Sequence, residues 1–279
     1  MRPKLRTHGV DVLQCRACAL AFWLPEDGFD PARLYDGQYF ASGDASAGYD
    51  DYAALEPALR STFRRRLERL RAKPGAWLLD VGTAYGFAAS EAERAGFRVA
   101  GLEISAEAAV RAAAQIRRRV VRASAVELPF SNARFDVITL WDVIEHLPDP
   151  HRAVAEISRC LRPGGRLALT TGDVESLVAR LSGERWHLYT IPEHLFFFSR
   201  RSLHLLLEAH GLRVERMRAQ GASYPLGYLA ERLRKTLLGR NRRSGHAFRG
   251  SDLILRVNLF DVLLVEAVKT TARVASSRA

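Results

Sequence analysis

The chain reads as an α/β protein built on a mostly parallel sheet, and three observations predict this. Residues 77–103 run strand, glycine turn, helix, strand; short apolar runs then alternate with helix-patterned segments as far as residue 217; one more apolar run stands apart at 261–269. Such alternation is the pattern of a sheet with helices packed on its faces. A length of 279 residues suits one large α/β domain or a core with an appendage.

Taken in order, residues 1–52 form a lead-in with Cys15-Arg16-Ala17-Cys18, followed by Leu20, Phe22, Trp23 and Pro25. Two cysteines at this spacing make half of a zinc ribbon, but a structural zinc takes four ligands. No second pair exists, and His8 and Cys160 are poor substitutes, so a small hydrophobic knuckle and no metal centre are expected. The core spans 53–222. Leu55, Leu59, Phe63, Leu67 and Leu70 recur at helical spacing until Lys73-Pro74-Gly75, with Arg64, Arg65 and Arg66 expected to face largely outward.

Trp77-Leu78-Leu79 is a buried strand ending on Asp80. After the turn holding Gly82 and Gly86 come a helix over 88–95, a stop at Gly96 and a second strand over 98–102 ending on Glu103. Further helices are expected at 106–117, 152–162, 174–181 and 203–209, the last capped by the hydroxyls of the 199–202 segment. Strands are expected at 120–121, 135–141, 166–171, 212–217 and 261–269. An insertion at 223–259 places Leu226, Leu229, Leu233 and Leu237 on one side of a basic amphipathic helix, read as a lid over a pocket or a contact with an anionic membrane through 226–243. Residues 260–279 supply the last strand and a tail.

The glycine turn points to a nucleotide cofactor, because glycines let the backbone approach a ligand at a helix N-terminus. An acid at the tip of the next strand can hold a ribose diol, and the spacing from Asp80 to Glu103 is close to the ~20 residues expected for it. The order Gly82-Thr83-Ala84-Tyr85-Gly86-Phe87 fits the dinucleotide fingerprint poorly. With an acid at Asp80 and glycines at the second and sixth following positions, it resembles motif I of the class I S-adenosylmethionine-dependent methyltransferases, departing at Ala84. The runs SAVELPF (124–130), FDVITLWDVIEHLPDP (135–150), LRPGGRLALTT (161–171) and the stretch from Pro192 to Ser199 are similar to the branch that includes ubiquinone-biosynthesis methyltransferases.

That resemblance implies a Rossmann-like seven-stranded sheet of order 3-2-1-4-5-7-6, with strand 7 antiparallel and helices on both faces. It implies S-adenosylmethionine as cofactor, bound near Asp80, Gly82, Thr83 and Gly86 at its methionine end. Glu103 would hold the ribose, with Ile104 also in contact with the cofactor, Ser124, Ala125 and Val126 would edge the adenine, and Asp142 would stand near the methyl-transfer mouth. Ser124 replaces the aspartate of many relatives. His194 and His146 are the candidate bases, with His187 behind; packing is the alternative for each. Tyr39 and Tyr52 are candidates for closing the pocket or for plain packing.

Methyl transfer from a sulfonium needs alignment more than covalent help, so the lack of a nucleophile triad is expected. The expected partner is a small-molecule acceptor (a sugar nucleotide, polyketide-like, quinone or lipid-linked compound) methylated at oxygen or carbon. A net charge of +11 and a pI near 10.1 raise the question of an anionic partner. Much of the excess is arginine scattered among alanines, which reads as a solvated surface. DNA is not expected; an RNA methyltransferase, or a cofactor-binding protein without transfer activity, is the alternative. Three cysteines make no disulfide framework, and no apolar run reaches the ~18–20 residues of a bilayer span, so a cytoplasmic, at most membrane-peripheral, protein is expected. Oligomeric state is not legible.

Overall fold

The computed structural model describes residues 1–26, 29, 34, 40, 52–70, 73–230 and 253–270. In chain order the elements are β1 (Arg2–Thr7), β2 (Val10–Gln14), β3 (Ala21–Trp23), α1 (Glu56–Leu67), β4 (Trp77–Val81), α2 (Phe87–Arg94), β5 (Arg98–Glu103), α3 (Ala106–Gln115), β6 (Val120–Arg122) and β7 (Phe135–Trp141). They continue as α4 (Pro150–Cys160), β8 (Leu161–Gly172), α5 (Leu177–Ser182), β9 (Phe196–Phe197), α6 (Arg200–Ala209), β10 (Leu212–Ala219), β11 (Ala222–Pro225), β12 (Ile254–Val257) and β13 (Val262–Lys269).

The main sheet has seven strands in the order β10-β13-β8-β7-β4-β5-β6. Ladders β4–β5, β4–β7, β5–β6 and β7–β8 are parallel, while β13 runs antiparallel to both neighbours. The expected order and the one reversed strand are both present. Strands covered on both faces read as unbroken apolar runs, which is why Leu78, Leu79, Ile138 and Leu140 are all buried. One face packs on α4 and α6 through Val154, Ile157, Leu203 and Leu207. The other packs on α1, α2 and α3 through Phe63, Leu67, Ala89 and Ala108.

Local chemistry sets the helix ends. Asp149 accepts from Arg152 N at 2.9 Å and a proline follows at once, so α4 begins earlier than the apolar spacing predicts. Ser199 and Ser202 form a reciprocal capping box that starts α6 at Arg200.

The lead-in forms a sheet of order β1-β2-β3-β9, in which β3 pairs with Phe196–Phe197 of the core, and two expectations change. Cys15 and Cys18 are free thiols on its β2–β3 turn, and Cys160 is buried on the inner side of α4. The insertion begins and ends as an antiparallel ribbon, β11 with β12, where helix alone was expected. Residues 226–230 are helical; the rest of the predicted amphipathic helix, residues 231–243, lies outside the described residues, as do Tyr39 and the tail from 271. Arg66 does not face outward: it is 3% exposed, because its guanidinium lies over Trp141 and reaches Asp142. Among the described residues no helix is long and apolar enough to cross a membrane.

Candidate cofactor and acceptor site

The carboxyl ends of β4, β5, β7 and β8 share one edge of the sheet, and the turns leaving them carry most of the predicted site residues. Open α/β sheets bind ligands at this edge. At the end of β4, Asp80 is buried and accepts from Thr139 Oγ1 at 2.7 Å and Thr83 Oγ1 at 2.8 Å. Burial pushes its carboxyl up to about 6 despite those two hydrogen bonds. Asp80 therefore fixes the glycine turn from below.

Gly82 and Gly86 adopt φ of +68° and +81°, and each also has a packing reason to lack a side chain. A Cβ on Gly82 would stand 2.6 Å from Val143 Cγ2, and one on Gly86 3.0 Å from Ala112 Cα. Ala84, at the departure from the glycine pattern, holds φ +48°, a left-handed conformation that costs an alanine about 1 kcal/mol or more.

Glu103 ends β5 and is 5% exposed. Its Oε1 accepts from Ile104 N at 2.8 Å and Ser105 N at 2.9 Å, and its Oε2 from Ala84 N at 2.8 Å. Thus the acid ties the tip of β5 to the glycine turn of β4. Burial raises its pKa, and the three backbone N–H groups oppose the rise. On the next turn Ser124 Oγ accepts from Val126 N at 3.4 Å and Ala125 is buried.

The end of β7 is also strained. Asp142 has φ +56°, and its N–H donates to Thr170 O at 3.1 Å. Its Oδ2 lies 3.5 Å from Arg66 Nη1, which also donates to Thr170 Oγ1 at 3.2 Å. Arg66 Nε, Trp141 Nε1 and Glu145 Oε2 are buried without a hydrogen-bond partner. Such orphans cost about 1–3 kcal/mol each. Burial, then the charge of Asp142, pushes Glu145 up to about 8.

His146 and His194, far apart in sequence, meet edge to face with ring centres 4.6 Å apart. His146 Nδ1 lies 3.0 Å from Glu193 O and His194 Nδ1 2.8 Å from Leu188 O. Carbonyls only accept, so each Nδ1 carries the proton and each Nε2 keeps its lone pair. Burial lowers both, His194 to about 4 and His146 well below its ordinary value, so both are neutral imidazoles. His194, Glu145, Thr171, Trp186, Phe196 and Phe197 line a cavity of about 10 Å³. His187 is turned to Asp261, with Nδ1 3.6 Å from its Oδ2. Tyr52 stacks on Phe87 at 5.5 Å and meets Tyr85 of the glycine turn edge-on at 5.2 Å.

The sequence reading missed Arg66, Glu145 and Trp23, whose Nε1 donates to His194 O at 2.8 Å. Glu145 directly precedes a residue singled out, and a buried acid beside a histidine was the available signal; nothing local marks Arg66 or Trp23.

Against this geometry, residues 55–216 match the family described as "Methyltransferase domain". The chain belongs to that family, the class I S-adenosylmethionine-dependent methyltransferases. The chain is 37% identical over 128 residues to a 27-O-demethylrifamycin SV methyltransferase of Amycolatopsis mediterranei, covering 43% of this chain and 47% of that one. It is 29% identical over 132 residues to a ubiquinone biosynthesis O-methyltransferase of Alkalilimnicola ehrlichii, covering 43% and 51%. The chain thus spans about half the length of these curated relatives. A solved structure of the [4+2]-cyclase SpnF shares its fold at a TM-score of 0.55 and 22% identity, covering 76% of this chain and 82% of that one. The fold is common to more than one chemistry, so the reaction has to be argued from the site.

Proposed function

We propose that the chain transfers a methyl group from S-adenosylmethionine to a hydroxyl, or an acidic carbon, of a small-molecule acceptor. The observation that carries this reading is the juxtaposition at one sheet edge of the Glu103-tied glycine turn and the neutral pair His146–His194. Relatives named for O-methylation of rifamycin-type and ubiquinone-type compounds support the acceptor class.

The residues at the β4 and β5 tips fit the cofactor chemically. Glu103 Oε2, with one backbone donor, keeps a second acceptor position for a ribose hydroxyl. The orphaned donors Arg66 Nε and Trp141 Nε1 suit a carboxylate, and Ser124–Val126 provides the adenine edge. Val143 must move from over Gly82 for the methionine end to enter. When bound, the cofactor supplies an electrophilic methyl on a sulfonium.

The chain's own contribution is positioning. Alignment of an acceptor for in-line displacement is worth about 7–11 kcal/mol. His194 Nε2 accepts the hydrogen bond of the acceptor's O–H and turns an oxygen lone pair toward the methyl; His146 braces that ring. An imidazole held at about 4 does not retain the proton, so it orients and relays rather than stores. Trp186 and Phe197 exclude water from the acceptor side. Incubating the purified chain with methyl-deuterated S-adenosylmethionine and a small-molecule extract, followed by mass spectrometry, tests the reading. A labelled metabolite absent with His194→Ala supports it; label recovered only in RNA, or in nothing, refutes it.

A further inference from the structure

The two histidines and Glu145 have a geometry that hydrogen bonding to an acceptor does not require. One ligating atom from each of Glu145, His146 and His194 lies within 4.8 Å of the others. Each histidine has its Nδ1 at hydrogen-bond distance from a main-chain carbonyl, which fixes the ring plane. A backbone carbonyl on the far nitrogen is the usual support of a metal-bound imidazole. The third member, Glu145, is 4% exposed, and its Oε2 has no hydrogen-bond partner.

We propose that Glu145, His146 and His194 form a binding site for a first-row divalent transition-metal ion such as Zn²⁺. Two imidazole nitrogens and one carboxylate suit such ions and not Ca²⁺ or Mg²⁺, which take oxygen ligands. Metal–ligand bonds of about 2.0–2.2 Å place tetrahedral ligand atoms roughly 3.4 Å apart, so each group must draw inward by under about 1 Å. The cavity bordered by Glu145 and His194, about 10 Å³, leaves room for one water-sized ligand in an open position. Asp142 and Arg66 are the charged groups nearest Glu145, and His187 and Asp142 those nearest His194; together they do not repel a cation.

With the ion bound, its open position beside Thr171 would take the acceptor's oxygen in place of the hydrogen bond to His194 and lower that oxygen's pKa. That role rests on the methyl-transfer reading; the binding of the ion does not.

The test uses the full chain with Cys15→Ser and Cys18→Ser, which removes the thiol pair as a competing site. Equilibrium dialysis with Co²⁺ is read by metal analysis and by visible d–d absorption, with Zn²⁺ as competitor and S-adenosylmethionine titrated on the same samples. The proposal expects one Co²⁺ per chain, displaced by Zn²⁺. His194→Ala and the near-isosteric Glu145→Gln should each weaken it more than about tenfold, with circular dichroism and S-adenosylmethionine binding retained. It is overturned if the cysteine-free chain binds no stoichiometric ion, or if binding is undiminished in both variants. Failure of S-adenosylmethionine binding with metal binding intact would refute the methyl-transfer reading and leave the metal site standing.

Discussion

The imidazole of His194 stands edge-on to that of His146, ring centres 4.6 Å apart and planes at 88°. They come from two loops stitched together by the backbone, with Leu195 N donating to Glu145 O at 2.9 Å. The Trp23 indole of β3 closes the arrangement by donating to His194 O. The N-terminal sheet is thus tied directly to the loop that carries His194.

Trp23→Phe keeps the ring and removes that one donor. We expect a stability loss of about 1 kcal/mol and a raised KM for the acceptor, with S-adenosylmethionine affinity unchanged. Urea unfolding and binding titration of the same variant check both halves.

Arg66 is buried between Trp141 and Thr170, with Asp142 as its ion partner. Arg66→Ala should destabilise the fold by about 3 kcal/mol, since it leaves Glu145 and Asp142 facing one another without the cation. Lysine restores a charge but not the planar fork, so Arg66→Lys should recover less than half. Chemical denaturation midpoints at constant slope decide this.

Asp80 makes stability depend on pH. Its folded pKa, about 6, is above the ordinary 3.8, so the fold favours the protonated form. The contribution is fully present below about pH 4 and is lost as pH rises through 6, a change of about 3 kcal/mol by pH 7. Asp80→Asn should flatten that part of the pH–stability curve and leave the chain more stable than wild type at pH 8. A variant that melts lower at pH 8 would show that the hydrogen bonds to Thr83 and Thr139 outweigh burial.

The glycine turn gives a paired prediction. Gly86→Ala combines φ +81° with a Cβ 3.0 Å from Ala112 Cα, and should destabilise by more than about 1 kcal/mol. Ala84→Gly relieves φ +48° and should be within about 1 kcal/mol of wild type, because released strain offsets added chain entropy. Thermal melts of the two variants should shift in clearly different amounts.

How far the sequence discloses this molecule follows from what is local in it. The β4–α2–β5 unit is readable because apolar runs, glycines and acids within it report their own surroundings, and the sheet order follows from the family resemblance carried by those runs. The pairing of β3 with β9 is not readable: it joins Phe22 to Phe196, and a two-residue strand has no period. Arg66 looks like its neighbours Arg64 and Arg65 until α1 is rotated onto the sheet. His146 and His194 are each visible as candidates, yet only the packing of the 191–199 loop on the 143–147 turn shows that they form one unit.

Glu103, at the tip of β5, is the residue proposed to hold the ribose of the adenosyl cofactor. Calorimetric titration of S-adenosylmethionine into the wild type and into folded Glu103→Gln measures this. One site per chain is expected, weakened at least about tenfold, or about 1.4 kcal/mol, by the substitution. No binding by the wild type, or equal affinity in the two proteins, would rule Glu103 out as the cofactor's anchor.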